Sequence, residues 1–167
     1  SIRCQECCNP EMFDFTPQHE LSVDDLLSLI MEAHVHYAIE GISCLGGEPF
    51  DQASSLALLV EAVQKIGLSV MVFSGYQWED LKQHKGSVHH RILTATDILV
   101  DGPYIHALHT KQRRWIGSTN QRVHFLSPRY NPDDPQWSAP NSIDIFFDGK
   151  EIRICGFPSL HKPNRST

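Results

Sequence analysis

A chain of 167 residues, 41% hydrophobic and 20% charged, suits a single domain spanning 1–167 that buries about 70% of the surface its unfolded form would expose, and it holds no apolar run long enough to span a membrane. Its formal net charge of −6 argues against sequence-independent nucleic-acid binding, which needs a basic surface to displace counterions, and the short cluster Lys111, Arg113 and Arg114 does not reverse that balance. Five cysteines, odd in number and unevenly placed, do not make a secreted disulfide framework and fit a reducing compartment, so a cytoplasmic location is expected.

The first informative stretch is Cys4-Gln5-Glu6-Cys7-Cys8-Asn9-Pro10-Glu11. Soft thiolates at short spacing are what iron and sulfide, or zinc, require, and two residues between Cys4 and Cys7 suit a shared centre. Cys8 is adjacent to Cys7 and would point away from that centre, which makes it a neighbour rather than a ligand. Taken alone, Cys-x-x-Cys is equally consistent with a redox pair or a zinc half-site.

Ser22 and Asp25 form a capping box, and Val23, Leu26, Leu27, Ile30, Ala33, Tyr37 and Ala38 follow at helical spacing, predicting a helix that ends near Gly41. Gly41 to Leu45 then reads as a short strand feeding the tight loop Gly46-Gly47-Glu48-Pro49. Leu56, Leu59, Val60, Val63 and Ile66 mark a second helix, stopped by Gly67. Leu68 to Phe73 is a continuous apolar run, the pattern of a strand covered on both faces, and it ends at Ser74-Gly75-Tyr76. Helical stretches around Trp78 and Leu81 and around Ile92 lead to a third strand, Asp97 to Val100, closed by Asp101-Gly102-Pro103.

This alternation predicts an α/β fold with a parallel sheet and right-handed crossovers, and the length allows a partial (β/α) barrel of roughly four to six units. Loops leaving the C-terminal ends of such strands share one face, so those at Gly46, Ser74 and Asp101 should converge. The cysteine loop joins them if a first strand lies upstream of Ser1. Downstream, Arg114 to Val123 is a polar loop entering a strand, 130–142 is a loop rich in Pro, Asn and Asp, and Asp148-Gly149-Lys150 centres a C-terminal β-hairpin over 143–155. Cys44 and Cys155, within apolar strands, read as buried packing thiols. The ten histidines do not build a tetrahedral zinc set with Cys4 and Cys7.

The cysteine stretch resembles the cluster loop of the radical S-adenosylmethionine (SAM) superfamily, Cys-x3-Cys-x2-Cys, with Cys4 and Cys7 matching the second and third cysteines. The first would sit immediately before Ser1, and with two thiols a cluster held by this chain is expected to be labile or missing. Asn9-Pro10-Glu11, Gly46-Gly47-Glu48-Pro49, Gly75-Tyr76, Val100-Asp101-Gly102 and Gly117-Ser118-Thr119-Asn120-Gln121 are similar to segments of glycyl radical enzyme activases, particularly the group serving the anaerobic ribonucleotide reductase. The likeness spans about Cys4 to Val123. Glu6 stands where that family commonly has glycine or an apolar residue.

The resemblance implies a [4Fe–4S] cluster ligated by Cys4 and Cys7, and SAM bound by the Gly46, Gly47 and Glu48 loop, with Glu6, Cys8, Ser74 and Asp101 beside it. It implies reductive cleavage of SAM to a 5′-deoxyadenosyl radical, an electron donor such as flavodoxin or ferredoxin, and a glycyl radical enzyme as partner, an anaerobic ribonucleotide reductase being the first candidate. No membrane or nucleic-acid partner is implied, and no acid or base is assigned. Two alternatives stay open: a radical SAM enzyme acting on another peptide or small molecule, and a non-catalytic SAM-binding or scaffold domain without a complete cluster site.

Overall fold

The computed structural model of the chain describes residues 2–6, 10–14, 20–83, 87–147 and 149–156. Helix α1, Val23–Tyr37, starts where the extended Ser22 turns its hydroxyl to accept the Asp25 N–H at 3.0 Å, with Asp24 and Asp25 against the positive end of the helix dipole. It stops short of Gly41 because Ala38 takes the left-handed conformation, φ 50°, and sends its N–H back to the His34 carbonyl. β1, Gly41–Cys44, follows, then one turn of 3₁₀ helix over Pro49–Gln52 and helix α2, Ala53–Lys65. Gly67, at φ +85°, reverses the chain into β2, Ser69–Phe73. The short helices α3, Trp78–Leu81, and α4, Val88–Thr94, lead to β3, Ile98–Asp101.

These strands form a sheet with β4, Arg122–Phe125, in the order β1-β2-β3-β4. The first three are parallel and β4 is antiparallel to β3, with Asp101 opposite Arg122. β5, Ile143–Phe147, and β6, Ile152–Gly156, pair antiparallel as a separate two-stranded sheet, Phe147 opposite Ile152.

The alternation along β2 and β3 sorts the core. Val70, Val72 and Leu99 face a cluster with Leu56, Val60 and Val63 of α2 and Ile92 of α4, while Leu27 and Ile30 of α1 pack at its margin. Met71, Ile98 and Val100 face the opposite side, covered by Ile116 and Trp137 from connecting segments. Each fully buried aliphatic side chain contributes about 1.5–3 kcal/mol, so the central strands are the most firmly held part of the fold and a stable base for the loops at their ends. Among the described residues, no helix is long and apolar enough to cross a membrane.

Candidate functional site

The loops after β1, β2 and β3 open together at the C-terminal edge of the parallel strands, where they border a cavity of about 470 Å³. Cys4 lines it from the N-terminal segment, Gly46, Gly47 and Glu48 from the loop after β1, and Ser74 and Gly75 from the loop after β2. Gly102 and Tyr104 border it from the loop after β3. Five residues expected at the site, Cys4, Gly46, Gly47, Glu48 and Ser74, therefore border one space. Cys7 and Cys8 lie outside the described residues.

The cysteine-bearing segment and the glycine loops meet so closely that a side chain on Gly47 would displace the Met12 backbone and one on Gly75 would displace the Ile2 side chain. A Cβ on Gly47 would stand 2.9 Å from the Met12 carbonyl oxygen, and one on Gly75 would stand 2.4 Å from Ile2 Cδ1. Gly46 sits at φ +134°, outside the range an L side chain adopts readily. The diglycine is thus a place where two stretches of chain are pressed together at the edge of a cavity, leaving its backbone as the chemistry it offers.

Glu48 is 4% exposed and its carboxylate is turned to the protein. Oε1 accepts from the Phe50 N–H at 3.0 Å and the Ser74 hydroxyl at 2.9 Å, and Oε2 accepts from the Gly75 N–H at 2.8 Å. Ser74 Oγ in turn accepts from the Tyr76 N–H at 3.1 Å. Glu48 therefore ties the loop after β1 to the loop after β2. Burial raises its pKa above the ordinary carboxylate value, against the pull of these donors.

Asp101 is fully buried and does not border the cavity. Its carboxylate accepts from the Trp78 N–H at 2.6 Å, Arg122 Nη2 at 2.5 Å and His124 Nε2 at 2.9 Å, and Arg122 also pairs with Glu79 at 2.7 Å. Burial opposes ionisation of Asp101, but the guanidinium, the Trp78 N–H and His124 outweigh it and the net shift is downward. Glu6, at φ 56°, is exposed and meets His106 at 3.2 Å, away from the cavity wall. Burial pushes the Cys44 thiol up to about 11, as befits a packing thiol, whereas the Cys155 side chain is outside the described residues.

The far wall holds Arg114, Trp115, Gln121, Asn141 and Ser142, which sequence reasoning did not place at the site. The motif Gly117 to Gln121 supplied a signal. Gln121 accepts from the Gly117 and Ser118 N–H groups at 2.8 and 3.2 Å and donates to the Gly102 carbonyl at 3.0 Å, clamping that loop to the end of β3. A Cβ on Gly117 would stand 3.1 Å from the Tyr104 ring, which would have to give way by a few tenths of an ångström. Trp115 sits at φ 71°, a strained backbone for so bulky a residue, and its buried indole N–H has no acceptor among the described residues.

Among the described residues, no group of three His, Cys, Asp or Glu side chains is placed to hold a metal ion. The donor chemistry present is one soft thiol, Cys4, on the wall of a cavity bordered also by Phe13, Leu45 and Phe73 and by a side-chain-free backbone loop. Those features fit a thiolate-held cluster beside an amino-acid nucleotide.

Comparison with known proteins places the chain among relatives. A family model described as a 4Fe-4S single cluster domain matches residues 1–124. The chain is 27% identical over 117 residues to the anaerobic ribonucleoside-triphosphate reductase-activating protein of Salmonella typhi, an alignment covering 67% of this chain and 70% of that one. It is 29% identical over 92 residues to the protein of the same name from Escherichia coli K12, covering 52% of this chain and 56% of that one. No solved structure matches it.

Proposed function

The chain belongs to the 4Fe-4S single cluster domain family, and from that premise we propose that it binds a [4Fe–4S] cluster and SAM in the cavity and activates a glycyl radical enzyme, with an anaerobic ribonucleotide reductase as candidate. The observation that carries the proposal is the shared border: Cys4 and the Gly46-Gly47 bend line one cavity, from segments that touch at Met12. When bound, the cluster would supply the electron for reductive cleavage of SAM, the chemistry by which an activase would install a glycyl radical on its partner.

This chain's residues do the holding. Cys4 would be a cluster thiolate and Cys7 the second, while the Gly46 and Gly47 backbone would receive the methionine end of SAM. Phe13, Leu45 and Phe73 on the cavity border would give bound SAM an apolar surround. Ser74 and Glu48 act by fixing the loops, through the bonds already described. We read the sheet as part of a partial (β/α) barrel, a reading supported by three parallel strands with helices between them. A small redox protein such as flavodoxin or ferredoxin would supply electrons, in the cytoplasm.

The test is anaerobic reconstitution of the protein as its gene encodes it, with ferrous iron and sulfide, followed by iron analysis and an assay of dithionite-dependent 5′-deoxyadenosine. Cluster-loaded protein should form 5′-deoxyadenosine, and the Cys4→Ala variant should lose both iron and product. A loaded wild type that forms none contradicts the proposal.

A further inference from the structure

We propose that the C-terminal hairpin and the basic rim at its base form the docking surface for the partner polypeptide, an inference that rests on the activase reading. The alternation along β5 and its register with β6 put Ile143, Ile145, Phe147 and Ile152 on one face. They are 47%, 67%, 70% and 67% exposed, an apolar face larger than scattered surface residues account for. The face begins at the cavity, because Asn141 and Ser142, which border it, run directly into Ile143.

Charge marks the same place. Arg3, Arg91, Arg122 and Arg129 each meet a carboxylate, whereas no carboxylate among the described residues pairs with Arg114. Arg114 borders the cavity, lies 5.6 Å over the Trp115 ring and donates to Ser142 Oγ at 3.1 Å. Arg113, exposed beside it, donates to the Trp137 carbonyl at 3.5 Å and likewise has no carboxylate partner among the described residues. In a chain of net charge −6, unmatched Arg114 on the cavity border and Arg113 beside it select an occupant with acidic side chains.

The occupant is therefore a polypeptide segment that lays its apolar side chains on the hairpin, sets a carboxylate against Arg114 and delivers its glycine to the cavity. A second copy of this chain is a poorer fit. A two-fold contact through this face would bring the unmatched guanidinium groups of both copies toward each other.

The experiment uses the reconstituted full chain and the anaerobic ribonucleoside-triphosphate reductase of the same genome, with affinity read by anaerobic biolayer interferometry and the glycyl radical by electron paramagnetic resonance. The double variant I145E/F147E should bind the reductase at least about tenfold more weakly, the loss expected when an interface anchor is removed, and yield less glycyl radical. Its iron content, far-UV circular dichroism and partner-free 5′-deoxyadenosine formation should match wild type. Arg114→Gln should also weaken binding, with Arg114→Lys restoring part of it. Unchanged affinity in I145E/F147E, beside a wild type that binds and activates the reductase, overturns this inference and leaves the activase reading standing. A wild-type dimer that the double variant converts to monomer in light scattering assigns the face to a second copy and also overturns it. A wild type that binds no reductase removes the candidate partner and this inference together, while one that also forms no 5′-deoxyadenosine removes the activase reading.

Discussion

Replacing Glu48 by Gln separates two roles for that residue. In the structure its carboxylate accepts three hydrogen bonds, from the Phe50 N–H, the Ser74 hydroxyl and the Gly75 N–H. An amide keeps one oxygen, enough for the Phe50 and Ser74 donors, but turns an NH₂ group toward the Gly75 N–H. That donor loses its acceptor, which costs about 1–3 kcal/mol, and opposing donors add to the loss. Removing a buried charge, whose cost shows in the raised pKa, returns part of it. The net is about 2 kcal/mol, and with a urea slope of about 2 kcal/mol per molar the unfolding midpoint falls by about 1 M. Urea titration of cluster-free Glu48→Gln, followed by circular dichroism, checks this. A midpoint within about 0.2 M of wild type, with SAM affinity lost in the loaded protein, would refute the reasoning and make the carboxylate a ligand contact.

Gly47→Ala should push the Met12 backbone, and the cysteine-bearing segment with it, away from the diglycine bend, lowering dithionite-dependent 5′-deoxyadenosine formation about tenfold; an unchanged rate would show that this close approach does not position the cluster. The Asp101, Arg122 and Glu79 network should make the wild type lose stability on acidification. Asp101 is lowered and Glu79 is held at about 2, so both contribute fully above their unfolded values and less as pH falls through the folded ones. Urea midpoints of Arg122→Gln measured between about pH 4.5 and 2 should fall less steeply than those of wild type. Ser22→Ala removes the α1 cap and should cost about 1 kcal/mol, seen as faster amide hydrogen exchange in the first turn of α1.

Much of the local structure was legible in the chain because its causes are local. Ser22 caps α1 through the Asp25 N–H, Gly67 takes a positive φ after α2, and the apolar run ending at Phe73 is buried on both faces of the sheet. The reversal of β4 was not read. Its cause lies in what the 102–121 connection lacks: it holds the 3₁₀ turn His106–Leu108 and a bridge between His109 and Ser118, and without a crossover helix the chain returns antiparallel beside β3. The early stop of α1 at Ala38 was equally hidden, since alanine carries no sign of a left-handed cap. At the site, spacing brought Cys4, the diglycine and Ser74 into view but said nothing of where carboxylates turn. Asp101 is drawn to Arg122 by the register of two strands distant in sequence, which no local pattern encodes.

The two buried acids also explain how the cavity floor is held. Glu48, after β1, takes the Gly75 N–H of the loop after β2, and Asp101, ending β3, takes the Trp78 N–H beyond that same loop. Main-chain bonds complete the lacing, Ser74 N–H to the Val100 carbonyl at 2.8 Å and Gly102 N–H to the Tyr76 carbonyl at 3.0 Å. The partners differ in charge, and that decides how each acid responds to protons. Burial lifts the Glu48 pKa above the ordinary value, the neutral donors it meets only partly oppose this, and protonation relieves a cost. Asp101 meets a guanidinium, so its pKa lies below and protonation removes a stabilising pair. Acid should therefore loosen the loops on the β3 side while those joining β1 to β2 stay closed. The diglycine bend, being on the closed side, keeps its place against the cysteine-bearing segment under conditions that already disturb the opposite wall.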